Sequence, residues 1–113
     1  MDYYHVWANK SGEITDLEWV NNMKGFLDHL VNESKMVEYK ITRCKMGFAS
    51  IPDLPEWHII MTVESMAQLE NAFRRVAPQE GELEEKHKSF NQFVTSIKHA
   101  YYSDWPYESL GDG

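Results

Sequence analysis

Between residues 3 and 8 the chain reads Tyr3-Tyr4-His5-Val6-Trp7-Ala8, a run of β-forming side chains closed by the turn-forming Asn9-Lys10-Ser11-Gly12. Successive side chains on a strand point to opposite faces. Tyr3, His5 and Trp7 therefore share one side, and Tyr4, Val6 and Ala8 share the other. The period then changes: Leu17, Val20, Met23, Leu27, Leu30 and Val31 recur at helical spacing, with Trp19 and Phe26 widening the stripe. Thr15-Asp16-Leu17-Glu18 opens that segment as a capping box, a hydroxyl first and a carboxylate three residues on. Gly25 inside it costs about 1 kcal/mol relative to alanine, a cost that close approach to a sheet would explain.

Alternation returns from about Lys35 to Phe48, where Val37, Tyr39 and Ile41 fall on one face and Glu38, Lys40 and Thr42 on the other. Unlike faces suit an antiparallel strand. Two prolines and an Asp between Ser50 and Pro55 predict a loop. Trp57 to Val63 is almost wholly apolar or β-branched, as a central strand is, and would pair with its predecessor as a long hairpin. Ser65-Met66-Ala67-Gln68 offers a second capping box for a helix striped by Met66, Leu69, Phe73 and Val76 and ended by Pro78. A third helix carries Leu83, His87, Phe90, Val94 and Ile97 along one buried seam. The last strand is predicted from His99 to Asp104, stopped by Pro106.

This order predicts an α+β fold. Two β-α-β halves form a ferredoxin-like βαββαβ arrangement, with an extra helix before the last strand and a four-stranded antiparallel sheet. At 113 residues the chain makes one domain, taken as residues 1–106, with 107–113 as a loose tail. Helices cover one face of such a sheet, and the other goes to water, a ligand or another subunit. The expected uncovered face carries Tyr3, His5 and Trp7, joined by Trp57, His58, His99, Tyr101 and Tyr102. A band that aromatic is a liability on a monomer. It implies a homodimer, a pocket or both; the plainer alternative is that these rings fill the space beneath the helices.

Charge narrows the partners. The formal net charge is -7 and no Lys/Arg cluster stands against it, so nucleic acid is not an expected partner. The acids Glu80, Glu82, Glu84 and Glu85 read as a solvated loop and helix start. Cys44 is the single cysteine, which leaves no internal disulfide and suits a reducing compartment; its alternating context favours a packed thiol over a nucleophile. Met1-Asp2-Tyr3-Tyr4-His5 lacks the basic and apolar regions of a signal peptide. No apolar stretch approaches the roughly 20 residues of a membrane span. A cytoplasmic location with no membrane partner is the expectation.

Candidate chemistry centres on histidine. His87 sits on the apolar stripe between Leu83 and Phe90. There an imidazole would bond a substrate oxygen, shuttle a proton or ligate a metal, or it would be a core histidine satisfied by a backbone carbonyl. His5 and His58, on strands expected to be neighbours, would orient a phenol or enol in an apolar pocket, or pack as hydrogen-bonded histidines at a dimer interface. Arg43, with Lys45, would bind an anionic ligand or simply charge an edge strand. The histidines at 5, 29, 58, 87 and 99 show no ligand-type spacing and no Cys-x-x-Cys exists, so no metal site is expected. His29 has polar neighbours and is expected to be exposed. No serine has a nucleophile setting and there is no Gly-rich phosphate loop; no cofactor is expected.

Three features, taken together, carry a resemblance. They are the opening strand Tyr3-Tyr4-His5-Val6-Trp7, the third strand running into its capped helix from Trp57 to Leu69, and His87 in Glu85-Lys86-His87-Lys88-Ser89-Phe90. Over about residues 3–105 the chain resembles the dimeric α+β barrel superfamily. It is similar to the small stress-responsive α/β-barrel proteins and the antibiotic-biosynthesis-type monooxygenases. The resemblance implies two subunits packed sheet against sheet as a dimeric α/β barrel, with a pocket between each sheet and its helices. In the monooxygenase branch that pocket holds an aromatic or polycyclic substrate, oxygenated without metal or flavin. The haem-degrading branch uses an Asn on the first strand, a Trp ending the third and a haem-ligating His. Asn9 and His87 stand near two of these, but Val63 or Glu64 occupies the Trp position, which argues against haem degradation.

The expected catalytic candidates are His87, His5 and His58, and the expected ligand contacts are Tyr3, Trp7, Asn9, Arg43, Phe90 and Tyr101. Three functions compete. The first is a small-molecule-binding homodimer with a stress-related role and a small aromatic or apolar ligand. The second is a cofactor-independent monooxygenase or isomerase acting on an aromatic or polyketide-like compound. The third is a structural dimer without a ligand.

Overall fold

The structure is a computed structural model that describes residues 1–107. Its elements are β1 (Asp2–Lys10), α1 (Asp16–Asn32), β2 (Glu38–Arg43), β3 (Trp57–Val63), α2 (Met66–Val76), α3 (Gly81–Asn91) and β4 (Val94–Ser103). The strands form one sheet in the order β2-β3-β1-β4, and every neighbouring pair is antiparallel. The two β-α-β halves interleave, because each half contributes one central strand and one edge strand. This is the expected α+β, ferredoxin-like fold with its extra helix.

Local chemistry sets the helix starts. The Thr15 hydroxyl accepts a hydrogen bond from the Glu18 backbone N–H at 3.1 Å, satisfying one of the orphan donors of the first turn of α1. At α2 the box does not form: Ser65 makes no side-chain cap, and Gln68 reaches one residue further back than the Ser65 N–H. Instead Gln68 accepts from the Glu64 N–H at 2.7 Å and donates to the Ser34 carbonyl at 3.1 Å, which stitches the helix start to the end of α1.

The core lies between the helices and one sheet face. Trp19, Met23, Phe26, Leu27 and Leu30 of α1 pack on Trp57, Ile59 and Val63 of β3, closed by Leu69 and Leu83. The buried stripe of α1 is rotated from the one the spacing predicted. Leu17 is 71% exposed, and Trp19 is fully buried. The Trp19 indole lies edge-on to Trp57 with centroids 5.2 Å apart, and its N–H donates to the Phe90 carbonyl at 3.0 Å. Asn22 donates to the Ser89 carbonyl at 3.1 Å. Both acceptors sit in the last turn of α3, where carbonyls lack partners within the helix. Side chains of α1 therefore terminate α3 and fix where it lies.

Several expectations are corrected. β2 is shorter than predicted, and residues 44–56 form the connection to β3, with Gly47 at φ +81° and Met46, Phe48 and Ile51 exposed. α3 ends at Asn91, so Val94 and Ile97 belong to β4 and not to the helical seam. β-branched Val94, Thr95 and Ile97 favour a strand. Pairing Val94 with Lys10 and Thr95 with Asn9 also carries the ladder to the end of β1. Between Asn9 and Trp7 the partners step from Thr95 to Lys98, one residue more than β1 advances. The bulge is absorbed at Ser96, whose φ is 54°. A methyl group placed on Gly25 would meet nothing within 4 Å, so this glycine does not mediate a close approach. His29 is half-buried against Glu33, its Nε2 3.0 Å from the carboxylate. Of the expected tail, residues 108–113 lie outside the described residues.

Candidate functional site

Register decides which side chains can meet. Tyr4 pairs with Met61 and Tyr101, Val6 with Ile59 and His99, and Ala8 with Trp57. All of these share the helix-facing side. Tyr3 pairs with Thr62 and Tyr102, His5 with Ile60 and Ala100, and Trp7 with His58 and Lys98; these share the helix-free side. The expected uncovered face is corrected accordingly. Trp57, His99 and Tyr101 turn towards the helices, because two residues adjacent in sequence on a strand cannot share a face, and Trp57 neighbours His58 as Tyr101 neighbours Tyr102.

On the helix side the core does not close. A cavity of about 220 Å³ opens between the sheet and all three helices. Its origin is the short side chains Val6 and Ala8 on the sheet floor and Ala72 on α2, which leave unfilled the space that the surrounding large residues span. The wall is almost wholly apolar, and the polar side chains at its border include Tyr4, His87 and Asn91. Tyr4 packs edge-on to Phe73 at 5.7 Å, and burial raises its phenol pKa, which keeps the hydroxyl protonated as a donor. His87 rests between Phe26, at 4.9 Å, and Phe90, at 5.6 Å. Its Nδ1 faces Glu84 Oε2 at 3.6 Å, too long for a hydrogen bond but close enough for an ion pair when the ring is protonated. That carboxylate oxygen is buried and accepts no hydrogen bond among the described residues. Thus one acid of the expected solvated cluster turns inward behind the histidine.

The helix-free side carries a different constellation. His58 stacks on Trp7 with centroids 4.5 Å apart and planes within 6°. His5 stacks on His58 at 5.0 Å, and Tyr102 meets His5 edge-on at 4.8 Å. His5 Nδ1 and His58 Nε2 are 2.8 Å apart, a hydrogen bond in which one ring donates and the other accepts. Burial lowers the pKa of both imidazoles, and the neighbouring His5 lowers that of His58 further.

The predicted site residues therefore divide. His87 and Phe90 border the cavity. His5, His58, Tyr3 and Trp7 lie across the sheet from it, so the three histidines do not form one centre. Tyr3 donates to Asp104 at 2.8 Å. Asn9 accepts from the Glu56 N–H at 2.8 Å and closes the start of β3 onto β1. Arg43 is engaged by Asp16 and Glu56, both at 3.2 Å, and lies over the Trp57 ring, so two carboxylates already meet its charge although about half of the side chain, 51%, stays exposed. Tyr101 donates to Asp2. The sequence reading missed Tyr4, Val6 and Ala8. Their signal was present in the alternation of β1, whose second parity is short and apolar beyond Tyr4.

A family model matches residues 1–110 of the chain. The chain belongs to that family, the family of unknown function DUF6614. No curated protein matches it. Among solved structures, this DUF6614 member is similar to the Arabidopsis thaliana protein At3g17210. That pair has a TM-score of 0.69 and 14% identity, over 92% of this chain and 95% of the other. It is also similar to a dimeric ferredoxin-like protein of unknown function from Jannaschia sp. CCS1, with a TM-score of 0.64, 15% identity and 91% and 98% of the two chains covered. A third is a dimeric protein of unknown function and ferredoxin-like fold from Bacteroides fragilis NCTC 9343, with a TM-score of 0.60, 8% identity and 91% and 95% coverage. Identities this low show the fold alone. Among the described residues no helix is long and apolar enough to cross a membrane, and no group of three or more His, Cys, Asp or Glu could hold a metal ion.

Proposed function

We propose that this DUF6614 protein is a homodimer that binds a small, largely apolar molecule between its sheet and its helices. The observation that carries the reading is the cavity itself: about 220 Å³, nearly all apolar, with Tyr4 and His87 at its border. A dry cavity of about 150 Å³ is enough to take benzene, and drug-sized ligands occupy roughly 300–1,000 Å³. The volume therefore suits one substituted ring or a short branched chain, and not a fused polycycle. Few polar groups amid apolar walls is the pattern of a site that orients a ligand through one or two hydrogen bonds. His87 and the Tyr4 hydroxyl supply them.

The dimer uses the helix-free face. Its centre is the stacked band of Trp7, His58 and His5, a surface that a monomer would leave against water. The Jannaschia and Bacteroides proteins of the same fold are dimeric, which supports a dimer here. The single Cys44 supports a cytoplasmic setting. A catalytic reading has less support, since His5 and His58 do not reach the cavity.

The test is binding of 4-isopropylphenol, a single substituted ring, followed by titration calorimetry and by the shift in thermal unfolding. Saturable binding that Val6→Phe abolishes, with the fold intact by circular dichroism, is expected, because the added ring fills the floor of the cavity. Binding left unchanged by Val6→Phe would place the probe elsewhere and remove the support for this site.

A further inference from the structure

The hydrogen bond between His5 and His58 has a limited set of protonation states. With both rings neutral, one nitrogen donates and the other accepts across 2.8 Å. A single added proton on the outer nitrogens leaves that bond in place. A second leaves two N–H groups pointing at each other, and the pair must separate. The stacking of both rings with Trp7 fixes their planes and leaves no small rotation that avoids the clash.

The surroundings do not offset that charge. No helix covers this face, so the neighbours are on strands alone. By register β2 contributes Glu38 and Lys40, β1 contributes Tyr3, and β4 contributes Lys98 and Tyr102. Lys98 pairs with Trp7, and Lys40 pairs with Ile60, the partner of His5. Asp104, the nearby acid beyond β4, is bound to the Tyr3 hydroxyl at 2.8 Å and to the N-terminal amine at 3.3 Å. Protonation thus adds positive charge beside two lysines, with Glu38 the one acid on the paired strand positions of this face. In a sheet-to-sheet dimer the same charge appears twice in a water-poor layer, where it costs most.

We infer that the His5–His58 pair is a proton-operated latch: neutral, it holds the two sheets together, and doubly protonated, it releases them as intact monomers. The inference rests on the dimer proposed above, with a second copy of this chain as the occupant of the face. The sign follows from linkage. Both imidazoles are already held below the ordinary value of 6.5 in the single protomer, and covering the face with a second copy disfavours their charged forms further, so the separated protomers bind protons more readily than the dimer. Association is then at full strength at pH 6.5 and above, and is lost as pH falls through the protomer's lowered imidazole values beneath it.

Sedimentation velocity of the full chain at pH 8 and pH 5 tests this, alongside circular dichroism. The expected result is a dimer at pH 8 and a folded monomer at pH 5. Below the protomer's lowered imidazole values, the dimer Kd should rise by at least about tenfold per pH unit. His58→Gln keeps a hydrogen-bonding end without a titratable charge, and it should remain dimeric at both pH values. A monomer at pH 8 would sink the dimer reading and the latch with it. A wild-type dimer that persists at pH 5 overturns the latch alone, and so does acid dissociation undiminished in His58→Gln. If that variant does not fold, ring ¹⁵N spectra of the wild-type protein decide. The latch requires His5 and His58 to take up protons across the window of dissociation, and rings that stay neutral through it refute it.

Discussion

Replacing Trp19 with phenylalanine tests whether α1 sets the position of α3 and so the shape of the cavity. The substitution keeps an aromatic ring against Trp57 but removes the indole N–H that donates to the Phe90 carbonyl at 3.0 Å. The Phe90 carbonyl keeps its second donor, the Phe93 N–H at 3.0 Å, so the loss is that of one hydrogen bond, about 0.5–1.5 kcal/mol. The smaller ring enlarges a space that is already unfilled, adding about 1 kcal/mol, and part of an aromatic contact worth about 0.5–1.5 kcal/mol is lost. The total is a destabilisation of about 2–3 kcal/mol. Leu17→Ala is the matched control. Leu17 shares the apolar periodicity of the helix but is 71% exposed, so its truncation should cost under about 0.5 kcal/mol. Urea unfolding at one fixed protomer concentration measures both, since the stability of a dimer depends on concentration. A loss under about 1 kcal/mol for Trp19→Phe, or equal losses for the two variants, would refute the reasoning.

Other outcomes follow from local geometry. Gly25→Ala should stabilise the protein by about 1 kcal/mol, read as a higher urea midpoint, because the added methyl meets nothing and the helix gains propensity. Thr15→Ala should cost about 1 kcal/mol, since it removes an observed cap, whereas Ser65→Ala should be close to neutral; the same titrations check both. Gln68→Ala should destabilise more than Ser65→Ala, because Gln68 holds both Glu64 and Ser34.

The periods of the hydrophobic pattern, 2 in the strands and 3.6 in the helices, were legible from the residues themselves, and with them the order of elements and the ferredoxin-like α+β fold. Backbone sterics and the burial of one face act locally, so a short window of sequence carries them. The Thr15 cap was legible for the same reason. The faces of β1 were also correctly separated, with Tyr3, His5 and Trp7 together. What a single strand does not encode is which of its two parities meets the helices and which parity of its neighbours lies alongside. That depends on register between strands far apart in sequence, and a slip of one residue reverses every assignment. Alternation alone forbids Trp57 from sharing a face with His58, or Tyr101 with Tyr102; register decided that Trp57, His99 and Tyr101 are the ones that meet the helices, and that the sheet separates His5 and His58 from His87.

The end of α3 shows a second limit. Leu83, His87, Phe90, Val94 and Ile97 keep a helical period, yet the chain leaves the helix after Asn91. Trp19 and Asn22 of α1 take up the last carbonyls of α3, and β1 offers Asn9 and Lys10 as strand partners for Thr95 and Val94. Both are long-range contacts, and they outweigh a local pattern that served either structure. The cavity belongs to the same class. It exists because Val6, Ala8 and Ala72, from two separate elements, happen to converge beneath larger residues, and a void is a property of the packed whole that no one segment contains. The sequence by itself thus determined the elements and their faces, through sterics and burial acting over a few residues. Only the tertiary structure decided which faces meet, because that choice is made by contacts between residues distant along the chain.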